Sequence, residues 1–69
     1  MKNLKIRDFV EWELQKFRDE CNFTEDELAV FELKAKNKSM TQIAYELNIS
    51  EPQVSKLTKR VMNKIIKVI

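Results

Sequence analysis

Three groups of side chains in this sequence have the types and spacing to do chemistry. Glu25, Asp26 and Glu27 stand in a row and could act as paired general acids and bases. Cys21, the single cysteine, is a nucleophile in principle. Gln53, Ser55, Lys56, Lys59 and Arg60 bring an amide, a hydroxyl and three cations into one short stretch. The acids follow Thr24 and precede an apolar run, so a helix start explains all three: carboxylates are stabilised at the positive end of the helix dipole. Cys21 has no histidine to activate it, because the sequence contains none. It continues an apolar stripe and is expected in the core. With no histidine and one thiol, a zinc site lacks ligands and an internal disulfide lacks a partner. The sequence also has no glycine, which removes glycine-rich phosphate loops and dinucleotide-binding turns. No catalytic residue, metal or cofactor is expected. The polar and cationic group remains.

The charge pattern agrees with it. The net charge is only +2, but it is unevenly placed. Residues 1–32 carry 5 basic and 9 acidic side chains, a net −4, and residues 33–69 carry 8 and 2, a net +6. A basic half of this kind fits either a solvated helical surface of mixed charge or the electrostatic footprint of a polyanion partner, and charge alone does not choose between them. No apolar run approaches the roughly 20 residues of a membrane span, and no signal-peptide pattern opens the sequence. With a free thiol, this predicts a cytoplasmic protein without a membrane partner.

The elements that must position these groups are all helices, so the fold class is all-α with about four of them. Strand alternation and hairpin dipeptides are absent, and helical periodicity runs from end to end. At 69 residues the core is small, so caps and turns carry weight. Residues 1–22 are expected to supply an amphipathic helix for packing and dimerisation, and residues 23–69 a second unit. The first helix is predicted over 4–21. Ile6, Val10, Leu14, Phe17 and Cys21 form its inward stripe, with Phe9 at the edge and Trp12, pointing elsewhere, expected to be buried. It stops at Asn22, since asparagine tolerates the left-handed backbone that ends helices. Thr24 and Glu27 form a capping box that opens a second helix near Glu25, with Phe23 and Leu28 spaced as a hydrophobic staple. That helix buries Leu28, Val30, Phe31, Leu33 and Ala35 and ends around Lys36, with Asn37 left-handed. Ser39 and Gln42 open a short helix running to Leu47. After the Asn48–Ile49 turn, Ser50 and Gln53 form a third capping box that opens the last helix, from Glu51 towards Ile69, with Pro52 tolerated in its first turn.

Two helices joined by a three-residue turn, with small Ala44 at their crossing, describe a helix-turn-helix. Ile43, Ala44, Leu47, Ile49, Val54 and Leu57 are the positions such a unit buries, and Asn48 takes the turn position where glycine is usual. Val54, Leu57, Val61 and Ile65 form the inward stripe of the last helix. Ser55, Lys56, Lys59, Arg60 and Asn63 occupy its opposite arc, with Pro52 and Gln53 leading.

On these residues, Thr24 to Ile65 resembles the LuxR/GerE-type DNA-binding domain, without a gap and over about 60% of the sequence. The match runs through Thr24, Glu27, Val30, Phe31 and Leu33, then Asn37-Lys38-Ser39 and Gln42-Ile43-Ala44. It continues through Leu47, Ile49-Ser50-Glu51, Val54, Val61 and Ile65. The run Gln53-Val54-Ser55-Lys56-Leu57 is also similar to region 4 of sigma-70-type factors. The resemblance implies a bacterial or phage transcription protein that binds double-stranded promoter or operator DNA. Family members usually have glycine where Asn37 stands. They also add a helix after the recognition helix for dimerisation, which this sequence does not show, so the dimerisation mode is not carried over.

Residue roles follow from charge and geometry. Gln53 suits adenine, Lys56 guanine acceptors and Glu51 a cytosine amino group, while Ser55 is a less discriminating base contact. Lys38, Ser39 and Thr41 open the short helix, where backbone N–H groups and the dipole favour a phosphate. Lys59, Arg60 and Lys64 are expected on backbone phosphates. Met62, Ile66 and Ile69 make a second apolar stripe, covered either by the first helix within the monomer or by a second chain; with Trp12 it is a candidate seam for a symmetric homodimer. The rival expectation is an interaction module docking on RNA polymerase or another regulator, which the acidic first helix and Trp12 favour.

Overall fold

The computed structural model describes residues 6–69. After a short 3-10 helix, Ile6–Asp8, come α1 (Glu11–Glu20), α2 (Glu25–Ala35), α3 (Met40–Leu47) and α4 (Glu51–Val68). Among the described residues there is no strand, and the all-α expectation holds.

Caps set most boundaries. Thr24 accepts from the Glu27 N–H and Glu27 returns to the Thr24 N–H at 3.0 Å. Ser39 and Gln42 repeat the exchange, the Gln42 side chain accepting from the Ser39 N–H at 2.9 Å. Each satisfies N–H groups that a helix start leaves orphaned. With no glycine available, asparagine supplies every left-handed backbone position among the described residues: Asn22 at φ 54°, Asn37 at 64° and Asn48 at 56°. After α2 and α3 the chain closes back on the helix, Lys38 N–H to the Leu33 carbonyl at 3.1 Å and Ile49 N–H to that of Ala44 at 3.0 Å.

The first expected helix is the main revision. Its start falls outside the described residues, and the remainder is broken at Phe9–Val10, where Val10 is extended at φ −83°, ψ 167°. Glu13 accepts from the Val10 N–H at 3.0 Å, so α1 begins at Glu11 with a valine at its cap position. The break turns Ile6 into the core and sets Phe9 edge-on to Phe17 at 4.9 Å, while Val10 is left exposed. An unbroken helix could not place both aromatic rings there. Trp12, expected to be buried, is 69% exposed. Leu14 and Phe17 form the side of α1 that packs inward, and Trp12 lies well round the helix from both.

The core has two clusters, and α2 and α4 run through both. Val61 and Ile65 of α4 join Phe31 of α2, Leu14 and Phe17 of α1, Ile6 and Cys21. Val54 and Leu57 of α4 join Val30 of α2 and Ile43 of α3, with Leu33, Ala44, Leu47 and Ile49 packed against them. Adjacent residues Val30 and Phe31 thus serve different clusters. The Phe23 ring packs on Phe31 at 5.0 Å, and Leu28, its expected staple partner, is exposed.

Candidate nucleic-acid interface

The N-terminal half of α4 is held by the second cluster, which aims its other side at solvent. Gln53, Lys56, Lys59, Arg60 and Asn63 are exposed there and Ser55 is half-buried. None of these side chains has an intramolecular partner among the described residues. Gln53 shows what this means. In α3 the equivalent cap residue, Gln42, uses its amide oxygen on Ser39. At α4 the expected third capping box is only half formed: the Ser50 hydroxyl accepts from the Gln53 N–H at 3.3 Å, and the Gln53 amide makes no return bond. A free amide and cations in successive turns, on a helix about 27 Å long, can enter a major groove about 12 Å wide.

The start of α3 lies against the start of α4. The Thr41 hydroxyl donates to the Glu51 carboxylate at 3.2 Å, tying two residues given separate roles. Glu51 thereby orients Thr41 and is less available to a base. Lys38 is half-buried and Ser39 exposed, with the Ser39 hydroxyl engaged in its cap.

Lys64 departs from the expected phosphate role. Its ammonium donates to the buried Glu27 carboxylate and, at 3.2 Å, to the Asn22 carbonyl. It joins α4 to the start of α2 and the turn after α1, so its charge is engaged although it stands one turn after Arg60 on the same helix. The ammonium, followed by the Thr24 N–H, lowers the Glu27 carboxyl below its ordinary range. Burial pushes the Cys21 thiol up, keeping it protonated and inert, in agreement with its core position.

A second internal network went unnoticed in the sequence. Arg18 of α1 makes a bidentate pair with Glu32 of α2, Nε to Oε2 at 2.6 Å and Nη2 to Oε1 at 2.9 Å. It also donates to Glu11 and Gln15, each at 3.1 Å, and its guanidinium lies 5.8 Å from the Phe31 ring centre. Glu32, then Glu11, hold the guanidinium firmly charged. The spacing of Glu11, Gln15 and Arg18 along one side of α1 was readable. Glu32, 14 residues from Arg18, leaves no local trace.

Met62 is half-buried against the first cluster, whereas Ile66 and Ile69 are 57% and 66% exposed. Among the described residues no cluster of metal-ligating side chains occurs, and no helix is long and apolar enough to cross a membrane.

A family model described as bacterial regulatory proteins, luxR family, matches residues 21–66, two thirds of the 69 residues. No curated protein and no solved structure matches the chain significantly. The matched segment begins at the turn before α2 and contains α2, α3 and α4 as far as Ile66. The chain therefore belongs to the luxR family of bacterial regulatory proteins, whose helix-turn-helix domains bind DNA to regulate transcription.

Proposed function

We propose that the chain is a sequence-specific transcriptional regulator that seats α4 in the major groove and acts in the cytoplasm as a homodimer on a palindromic site. The observation that carries this reading is the unpartnered polar side of α4's first turns. Gln53 and Lys56 are the main base readers, with Ser55 a weaker contact and Glu51 a minor one. Lys38, Ser39, Lys59 and Arg60 take the phosphates, joined by the backbone N–H of Thr41, whose hydroxyl is given to Glu51. Lys64, engaged by Glu27 and Asn22, leaves that set.

Geometry supports a dimer seam at Ile66 and Ile69, with Met62 at its edge. Gln53 and Ile66 are 13 residues apart, about 20 Å along α4. A two-fold axis at Ile66 therefore separates the two reading ends by up to about 40 Å, enough to span the roughly 34 Å between half-sites about 10 bp apart. Paired sites also raise affinity without new contacts. Selection of the tightest sequences from random duplex DNA tests the reading. Enrichment of an inverted repeat is expected. A single half-site would remove the dimer, and absence of binding at low salt would remove DNA recognition.

The exposure of Trp12 on a helix rich in carboxylates favours a second reading, docking on RNA polymerase or another regulator. A polymerase pull-down that survives Lys56→Ala and Arg60→Ala, with no duplex binding by the unmodified protein, would replace the first reading.

A further inference from the structure

Tyr45 is the most exposed of the large hydrophobic side chains among the described residues, at 87%. The fold gives no reason for this. α3 turns Ile43 inward, with Ala44 and Leu47 packed on the same cluster, and Tyr45 lies on the far side. Its phenol has no hydrogen-bond partner among the described residues. Thr41 stands one turn earlier on the same side of α3, about 40° away. The Thr41 hydroxyl is bonded to Glu51 in the first turn of α4. That side of α3 therefore adjoins the end of α4 carrying Gln53, and Thr41, Gln42, Tyr45 and Glu46 line one depression in it.

We propose that Tyr45 is a DNA-backbone contact: its hydroxyl donates to a phosphate oxygen and its ring lies on the adjoining sugar. The inference rests on the DNA-binding reading above. Duplex seated on the first turns of α4 brings its flanking strand along α3, past Thr41 and then Tyr45. In a helix-turn-helix the first helix crosses the backbone while the second reads bases. Glu46 lies a further 100° round α3, so its carboxylate repels phosphate from the far edge, and on the Thr41 side the Glu51 carboxylate is already bonded to the Thr41 hydroxyl. Phosphate contacts of this kind fix register without reading sequence. A neutral phenol also releases no counterion, which separates its signature from that of a lysine.

The test compares the unmodified protein with Tyr45→Phe, Tyr45→Ala and Lys59→Ala on random-sequence duplex DNA over a range of salt concentrations. Because Tyr45 is exposed, both of its variants are expected to keep the wild-type melting temperature, which is checked first. Tyr45→Phe should bind about three- to tenfold more weakly, and Tyr45→Ala at least as weakly. In both, the slope of affinity against salt should be unchanged, whereas Lys59→Ala should lower it by about 1. If both tyrosine variants bind normally while Lys59→Ala is weakened, the Tyr45 contact is overturned and DNA recognition stands. A changed slope in Tyr45→Phe would also overturn it, by assigning the loss to a cation. If the unmodified protein fails to bind duplex at low salt, the underlying reading falls and the Tyr45 contact with it.

Discussion

Two regions of the molecule treat their polar side chains in opposite ways: around Glu27 and Glu32 they are bonded internally, and along the exposed side of α4 they are not. Lys64 of α4 is bonded to Glu27 and the Asn22 carbonyl. On the α1 and α2 helices packed nearby, Arg18 is held by Glu32, Glu11 and Gln15. Elsewhere on α4, Gln53, Lys56, Lys59 and Arg60 are exposed and make no such bonds among the described residues. Charge that closes the fold is engaged internally, and the exposed cations of α4 are the ones open to a partner. The net +6 of residues 33–69 therefore overstates what DNA can use, since Lys64 is already neutralised.

The comparison can be broken most forcefully at Phe31. Its ring is fully buried, meets Phe17 at 6.5 Å and Phe23 at 5.0 Å, and lies under Arg18. Phe31→Ala should cost about 3–5 kcal/mol, enough to unfold a domain this small, as read by urea denaturation. If only α1 were released and the DNA-binding half stayed folded, the two clusters would be separable units.

Lys64→Met comes next. It leaves a buried carboxylate without its cation and should cost about 2 kcal/mol, while random-duplex binding by the folded protein is retained. The same pair sets a pH dependence. Because folding lowers the Glu27 carboxyl, its contribution is complete above the unfolded carboxylate range. It is lost as pH falls through the lowered folded value. Urea midpoints measured downward from neutrality should show this loss in the unmodified protein and a smaller one in Glu27→Gln.

Lys56→Ala sharpens the other half. It should leave stability within about 0.5 kcal/mol and weaken specific binding by about 1–3 kcal/mol, more than it weakens non-specific binding. Lys38→Ala should weaken both alike. The smallest effect belongs to the turn. Asn48→Gly should be neutral or slightly stabilising at φ 56°, and Asn48→Ala should cost about 1 kcal/mol in thermal unfolding, since only the former accepts a left-handed backbone freely.

Where structure follows from neighbours in the chain, the sequence was readable. Thr24 with Glu27, Ser39 with Gln42, and the three asparagines lie within a turn of what they control, and α2, α3 and α4 begin where those signals stand. The second cluster followed from helical spacing. Pairs distant in sequence left no such trace: Arg18 with Glu32, and Lys64 with Glu27, are 14 and 37 residues apart. The break before α1 was hidden because a valine, and no serine, threonine or asparagine, stands at its cap. Trp12 was misplaced because a tryptophan's usual burial says nothing about which side of α1 faces the other helices.

The central claim is that the unpartnered cations of α4, and not the engaged ones, meet DNA. The salt dependence of random-duplex binding tests it most directly when Lys59→Ala, Arg60→Ala and Lys64→Met are compared with the unmodified protein. The account predicts that each of the first two lowers the slope of log affinity against log salt by about 1, while Lys64→Met leaves it unchanged. Equal slopes in all four proteins, or a fall in Lys64→Met alone, would contradict it.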